Sequence, residues 1–378
     1  MNRVLILGGT GAMGIYLVKL LSESGYWEIT VTSRSKRENN IPNVTYIQGN
    51  AREFKFISEL LRERYDVIVD FMNYGYDEFK DRVQLLTNST EHYLFLSSCR
   101  VYANSAAPIT EDNARLLDVS DDTDFLSTNR YALRKARQEN MLRSLKNNNW
   151  TIIRPYITYS DSRLQLGVYE KEQWLYRFLN GKKVVIRREI LNKKTSLTCG
   201  KDVAFAISRL MLNTAAFGEA VNIVTPETIT WLEIYMIYRS VLERETGKTF
   251  ELYTSAHFPL VENCFEGGYN TLYDRLYDRV FYKIKAEKLC SGISYTPIKI
   301  GLETALTEFI RSGAEFLPVQ WDFEALSDRM TGDRTPIDEI FDINGKSVYI
   351  DCLNNGKFSE ADNYLYEPLD LKGRLQNA

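Results

Sequence analysis

The sequence predicts an α/β fold, a doubly wound parallel sheet with a smaller α/β lobe and a C-terminal extension, and three observations carry that expectation. Residues 1–155 alternate short apolar runs with helical spacings, the pattern of parallel strands joined by crossover helices. A glycine cluster, "VLILGGTGAMG" at residues 4–14, stands where the first apolar run meets the first helical stretch. The chain has 378 residues, enough for a large core and one or two domains.

Each element follows from its local pattern. Val4 to Leu7 read as a buried strand, and residues 15–24 as a helix with Leu17, Leu20 and Leu21 on one stripe. "EITVTSR" (28–34) and "VTYIQG" (44–49) read as the second and third strands. "FKFISELLRER" (54–64) is helical by its spacing of Phe56, Leu60 and Leu61. "DVIVDFM" (66–72) is the fourth strand, followed by the helix "DEFKDRVQLLTNS". "HYLFLSS" (92–98) is the fifth, then a helix from about Arg130 to Lys146, then "WTIIRP" (150–155) as the sixth. Right-handed crossovers put any ligand at the carboxyl ends of these strands. Residues 1–155 are thus the expected nucleotide-binding domain, a Rossmann fold. Residues 156–313 hold helices near 170–180, 201–213, 230–246 and 301–312 with short strands "KVVIR" and "AVNIV", and are the expected substrate-binding lobe. Residues 314–378 carry turn signals such as "DING" and "NNGK" and form an extension to which no role is assigned.

Composition excludes several classes. The 44% hydrophobic and 26% charged fractions are those of a soluble protein. A net charge of −3 gives no general reason to bind nucleic acid or acidic membranes. Five scattered cysteines without a CxxC fit a reducing compartment, the cytoplasm. With two histidines and no thiol cluster, no metal site is expected. The chain shows no leader pattern and no apolar run of the ~20 residues a membrane helix needs.

The glycine turn predicts the ligand. A helix N-terminus offers free N–H groups and partial positive charge, which suit a phosphate. Gly8 would make the tight turn, Gly11 would let a pyrophosphate approach, and Gly14 would pack helix against strand. Thr10 and Met13 lie in the same turn as further cofactor contacts. The second strand normally ends at the adenosine ribose, where an acidic residue binds NAD and a basic one accommodates NADP. Here it ends "VTSRSKR", with no acid between Glu28 and Glu38. Ser33 and Arg34 therefore point to NADP, with NAD as the alternative, because a guanidinium grips phosphate with two parallel bonds.

The chemistry is carried by two stretches. "FLSSCRVY" closes the fifth strand, and "NRYALRKARQEN" holds Tyr131 and Lys135 four residues apart, on one face of a helix. A lysine cation beside a tyrosine favours the phenolate, so the phenol can exchange a proton with an alcohol or carbonyl near neutral pH. A nearby serine hydroxyl can hold the same oxygen. Nicotinamide chemistry needs this, since a proton moves on oxygen as a hydride moves on carbon.

Taken together, these motifs resemble the extended short-chain dehydrogenase/reductases, the NAD-dependent epimerase/dehydratase family. "GGTGAMG" matches the family's nucleotide motif, "SSCRVY" its serine segment, "YALRK" its Tyr/Lys pair, "IIRPYITY" its Arg-Pro strand and "GKDVAFAI" its DvA helix start, over roughly residues 1–313. The resemblance implies Ser98, Tyr131 and Lys135 as catalytic triad, with Tyr131 the acid/base. It implies cofactor contacts at Asn50, Asn73 and Pro155, and a homodimer through the helices at 75–88 and 130–146. Its implied activity is epimerisation or reduction of a sugar, chiefly a nucleotide-activated one. Ser98, Cys99 and Arg100 stand where the family's sugar 4,6-dehydratases carry Thr-Asp-Glu, so that dehydration is not expected. Thr195, flanked by Lys193 and Lys194, stands where many sugar-nucleotide members carry an arginine. Two other readings stand beside this one: a reductase of a non-sugar carbonyl compound, and a non-catalytic member that binds a partner or RNA, as plastid stem-loop-binding members do. His92 is expected to be structural and His257 to lie in a loop. "YNTLYDRLYDRVFY" (269–282) is either an amphipathic surface helix or turn, or a substrate wall.

Overall fold

In the computed structural model, seven strands form one fully parallel sheet: β1 (Asn2–Leu7), β2 (Trp27–Ser33), β3 (Val44–Gln48), β4 (Tyr65–Asp70), β5 (Thr90–Leu96), β6 (Trp150–Pro155) and β7 (Glu219–Ile223). The residues described are 1–38, 41–257, 264, 268–313, 315–316, 318–355 and 366–371. The order across the sheet is β7-β6-β5-β4-β1-β2-β3, and every neighbouring pair is parallel. The chain runs outward in both directions from β1, so the strand order reverses there.

Alternation along the strands builds two cores. Val4, Ile6, Val67 and Val69 face one side, with Leu17, Val18 and Leu21 of helix α1 (Gly14–Ser24). Leu5, Leu7 and Ile68 face the other, with Ile57 of α2 (Phe54–Leu60), Phe79, Val83 and Leu86 of α3 (Tyr76–Asn88), and Leu142 of α4 (Tyr131–Arg143). Strands apolar on both faces and helices on both sides are what a parallel sheet requires. Helix α5 (Gly200–Leu210) covers the first side through Val203, Ala206, Ile207 and Leu210.

The chain divides into two compact units. The first comprises residues 1–160, 196–228 and 280–298, the second 161–195, 229–279 and 299–378. The strand "AVNIV", expected in the smaller lobe, instead completes the main sheet as β7, pairing Val221 with Ile153. Its residues are buried on both faces, as a sheet covered on both sides requires. The helix expected over 54–64 ends at Leu60, where the chain turns into β4.

The second unit holds a sheet of Val184–Arg187 parallel to Leu252–Ser255, with Tyr366–Pro368 antiparallel at the edge. Trp174 stacks on Tyr238 with centroids 4.7 Å apart. Buried Arg177 bonds Glu324 and Asp328, each at 2.9 Å, and Lys182 bonds Asp328 at 2.8 Å. The helix Trp321–Thr331, within the expected extension, is thereby tied to residues 177–182 by buried ion pairs. Of the "NNGK" turn, Gly356 and Lys357 lie outside the described residues. Of the readings of the 269–282 segment, the turn is found but not at the surface: Thr271–Arg275 forms a π-helical turn, and Arg275 and Arg279 are buried and paired with buried Asp274. Their charges are satisfied inside, which an amphipathic reading of the spacing cannot show.

Candidate active site

The glycine turn leaves β1 and enters α1. Gly8 has φ +71°, the left-handed region where a side chain is strained, and its N–H donates to Thr32 Oγ1 at 3.1 Å. Gly14 has no room for a Cβ, which would lie 2.5 Å from the Gly9 backbone. Gly14 therefore packs the helix against the turn itself, rather than against the strand. Nothing lies within 4 Å of a Cβ built on Gly11. That open position faces an α1 N-terminus with no side-chain cap and no acid in its first turn. A Cβ on Gly200, at the start of α5, would sit 2.5 Å from Ala12 O, so α5 closes on the back of the turn. The cradle fits a dinucleotide's pyrophosphate, which uses free helix N–H groups and close backbone approach. Thr10 and Met13 lie in it, both half-buried.

At the end of β2, Ser33 is buried and Arg34 exposed, and Gln48 Nε2 donates to Arg34 O at 3.3 Å. Asn50 spends its side chain on its own turn, accepting from Arg52 N–H at 3.1 Å. Asn73 follows β4 and accepts from Arg134 of α4 at 3.2 Å. Pro155 is buried as the last residue of β6. Two residues later, Ile157 has φ +31°, an outlier for a β-branched residue.

Because the sheet is parallel, the residues after β1, β4, β5 and β6 emerge at one edge. Ser98 lies just past β5 rather than within it, as the N-cap of the 3₁₀ turn Cys99–Val101, and its Oγ accepts from Arg100 N–H at 3.2 Å. Cys99 is thus a turn residue, not a strand residue, and its buried thiol points to Arg154 O. Tyr131 opens α4 and is half-buried. The Arg100 guanidinium lies 5.0 Å over its ring, and Arg134 lies 5.8 Å from the same ring. Lys135, one turn on, is 2% exposed, and its ammonium donates to Leu96 O at 2.7 Å, two residues before Ser98. The structure thus joins the Lys135 turn of α4 to the end of β5 and sets Arg100 between Ser98 and Tyr131.

Sequence reasoning missed Asp70, the last residue of β4. It is fully buried; Oδ1 accepts from Met72 N–H at 2.9 Å and Oδ2 from Tyr93 OH at 2.8 Å. Burial raises its carboxyl to about 6, against the pull of those bonds and of Lys135. Burial likewise lowers Lys135 to about 8, and the Asp70 charge holds it from falling further. The signal was a lone carboxylate at the end of the apolar run "VIVD".

The Arg-Pro strand places its arginine inside, not in the ligand crevice. Arg154 is 1% exposed and bonds Glu139 of α4 twice, at 2.8 and 2.6 Å. Ser97 Oγ donates to the same carboxylate at 2.5 Å. Burial pushes Glu139 up, but the Arg154 charge and these bonds outweigh it and hold the carboxyl below its usual range. His92 is structural: Leu212 N–H donates to Nδ1 at 3.1 Å, leaving Nε2 to carry the proton toward Thr151 Oγ1 at 2.8 Å. Burial depresses it to about 3. The DvA aspartate, Asp202, accepts from Thr296 N–H at 2.7 Å. His257 is an exposed loop residue.

A reversing parallel sheet, a glycine cradle at its turning point and a Tyr/Lys helix beside the serine turn define an α/β protein of the extended short-chain dehydrogenase type. Residues 4–223 match the family model described as the NAD dependent epimerase/dehydratase family, and the chain belongs to that family. A curated relative, the chloroplast stem-loop binding protein of 41 kDa b of Arabidopsis thaliana, is 25% identical over 246 residues. That match spans 61% of this chain and 60% of the relative. Among solved structures, the dTDP-glucose 4,6-dehydratase of Bacillus anthracis in complex with NAD superposes with a TM-score of 0.62 at 18% identity, covering 85% of this chain and 100% of that one. The UDP-glucuronic acid 4-epimerase of Bacillus cereus, in complex with UDP-glucuronic acid and NAD, gives 0.61 at 16% identity, covering 82% and 100%. No helix among the described residues is long and apolar enough to cross a membrane.

Proposed function

We propose that this chain is an NAD(P)-dependent epimerase or reductase acting on a sugar, in the first instance a nucleotide-activated one. The observation that carries the reading is the seating of Lys135: a buried ammonium, one turn from Tyr131, bonded to the carbonyl two residues before Ser98. A bound nicotinamide dinucleotide would supply the hydride acceptor and donor. Gly8, Gly11, Gly14, Thr10, Met13 and the α1 N-terminus would hold its phosphates, with Ser33 and Arg34 at the adenosine end and Asn50, Asn73 and Pro155 along its course. Ser98 Oγ holds the reacting oxygen of the substrate. Tyr131 OH gives or takes the proton on that oxygen, and the Lys135 cation stabilises the phenolate this leaves. Residues 156–313 would supply the substrate-binding lobe, and two copies would pair through α3 and α4.

Arg34 at an end of β2 without an acid favours NADP over the NAD named for the solved relatives. Arg34→Ala should weaken NADP about tenfold or more, the loss of a charge-assisted pair, and leave NAD within about twofold. Titration with both nucleotides reads this, and equal loss for both would remove the phosphate assignment. The reading as a whole is tested by native mass spectrometry for retained nucleotide, followed by turnover of UDP- and dTDP-sugars. Failure to bind either dinucleotide would overturn it. The stem-loop-binding relative supports a second reading, in which the chain binds RNA. Its mark would be RNA affinity that falls steeply with salt.

A further inference from the structure

We propose that Asp70 is the counter-ion of Lys135, a positioning residue that keeps the lysine of the Tyr/Lys pair charged inside the protein. The inference deepens the proposed function and rests on its assignment of Tyr131 and Lys135.

The argument begins with burial. Asp70 is 0% exposed and Lys135 is 2% exposed. A lone buried ion is strongly disfavoured, so buried charges come in pairs. The groups around Asp70 suit its ionised form. Both of its oxygens are acceptors, one for the Met72 N–H and one for the Tyr93 hydroxyl. Two neutral donors stabilise a carboxylate but do not balance its charge. The cation that does so is Lys135 of α4, whose ammonium lies 4.6 Å from the ring of Phe95, the residue that pairs with Asp70 across β4 and β5.

The other charged and titratable groups facing the pair do not take this role. From the chain after β4, Tyr74 is buried, and burial holds its phenol well above its ordinary value, so it stays neutral. From α3, Arg82 lies 4.5 Å over the Tyr74 ring, with its guanidinium on the carbonyls of Glu78, Ala51 and Arg52. From β5, Tyr93 also stays protonated, held well above its ordinary value by burial. On α4 itself, Arg134 repels the Lys135 ammonium, and Glu139 is already engaged by Arg154. The Leu96 carbonyl and the Phe95 ring, 4.6 Å from Nζ, orient the ammonium without neutralising it.

The consequence is directional. Burial favours the neutral form of Lys135, and the Asp70 charge opposes that. A neutral lysine no longer stabilises the Tyr131 phenolate, so the Asp70 carboxylate bears on the alkaline limit of the site. It does so from beneath the sheet edge, without touching the substrate.

The test reads the lysine directly and needs no substrate. Lysine labelled with 13C at Cε is followed by NMR across pH, and its Lys135 resonance is assigned with Lys135→Arg. In Asp70→Asn, which keeps the shape and the Met72 bond, the Lys135 midpoint should fall by about one pH unit or more. An unchanged midpoint would overturn the proposal. If Asp70→Asn does not fold, Lys135→Met with 13Cγ-labelled aspartate reads the pair from the other side: the Asp70 midpoint should rise, and a constant one is equally fatal. For any substrate that is turned over, the alkaline fall in kcat should move to lower pH in Asp70→Asn, a change that loss of packing alone does not produce. Failure of Tyr131→Phe to impair turnover would remove the enzymatic assignment and leave the titration result standing, so the two ideas fail separately.

Discussion

Two ends of one helix offer the clearest contrast in this molecule. At the start of α4, Tyr131 is half-buried, with the Arg100 guanidinium over its ring and Asn73 bonded to Arg134 in the same turn. Two turns on, Glu139 is sealed against Arg154, Ser97 and Arg115, with no exposed surface. Positions 131, 135 and 139 share a helical face. The same face thus carries a half-buried phenol, a buried cation and a closed ion pair.

The largest effect should come from the open end. Tyr131→Phe is expected to lower turnover about 10²–10⁴-fold, the usual contribution of a positioned acid/base, with thermal stability and dinucleotide affinity unchanged. Normal turnover in steady-state assays would place the proton transfer elsewhere. The closed end should respond the other way. Glu139→Ala leaves Arg154 buried without its partner and should cost about 3–5 kcal/mol in urea unfolding. If it unfolded like the wild type, the contrast along α4 would collapse.

The glycine turn sharpens the same distinction on a smaller scale. Gly14→Ala forces a Cβ onto the Gly9 backbone and should lower stability by about 1–3 kcal/mol. Gly11→Ala meets no protein atom, so it should leave the melting temperature alone and weaken dinucleotide binding about tenfold. Calorimetry on both variants, apo and with nucleotide, separates packing from recognition. The effect that is smallest at neutral pH belongs to His92. His92 stays neutral in the fold down to about pH 3, whereas the unfolded chain takes up a proton below about pH 6.5. Stability present above that value is therefore lost as pH falls, by at most about 1.4 kcal/mol per pH unit. His92→Gln should flatten this acid slope, and an equal slope in both proteins would show that other groups carry it.

Much of this was legible in the sequence, for physical reasons that differ by element. The strands of the first sheet announce themselves because parallel strands are apolar on both faces, and Gly8, Gly11 and Gly14 because each answers a distinct backbone demand. "AVNIV" was legible as a strand but not as part of the main sheet, because its partner β6 lies far away in sequence. Asp70 and Glu139 escaped notice for a related reason. Their partners, Lys135 and Arg154, sit on other elements, and one-dimensional spacing records neighbours along a helix but not across a sheet. The 269–282 segment misled because its Arg275 and Arg279 both pair with the buried carboxylate of Asp274.

The late arrival of β7 also bears on how the protein is made. Strand β6 is complete at Pro155, but the strand that covers its outer edge ends only at Ile223. On a ribosome adding about 5–20 residues per second, the nascent sheet would show a bare, apolar edge for roughly 3–14 s. Such an edge invites pairing with another chain. Synthesis rate, more than the stability of the finished fold, should therefore govern the yield of soluble protein.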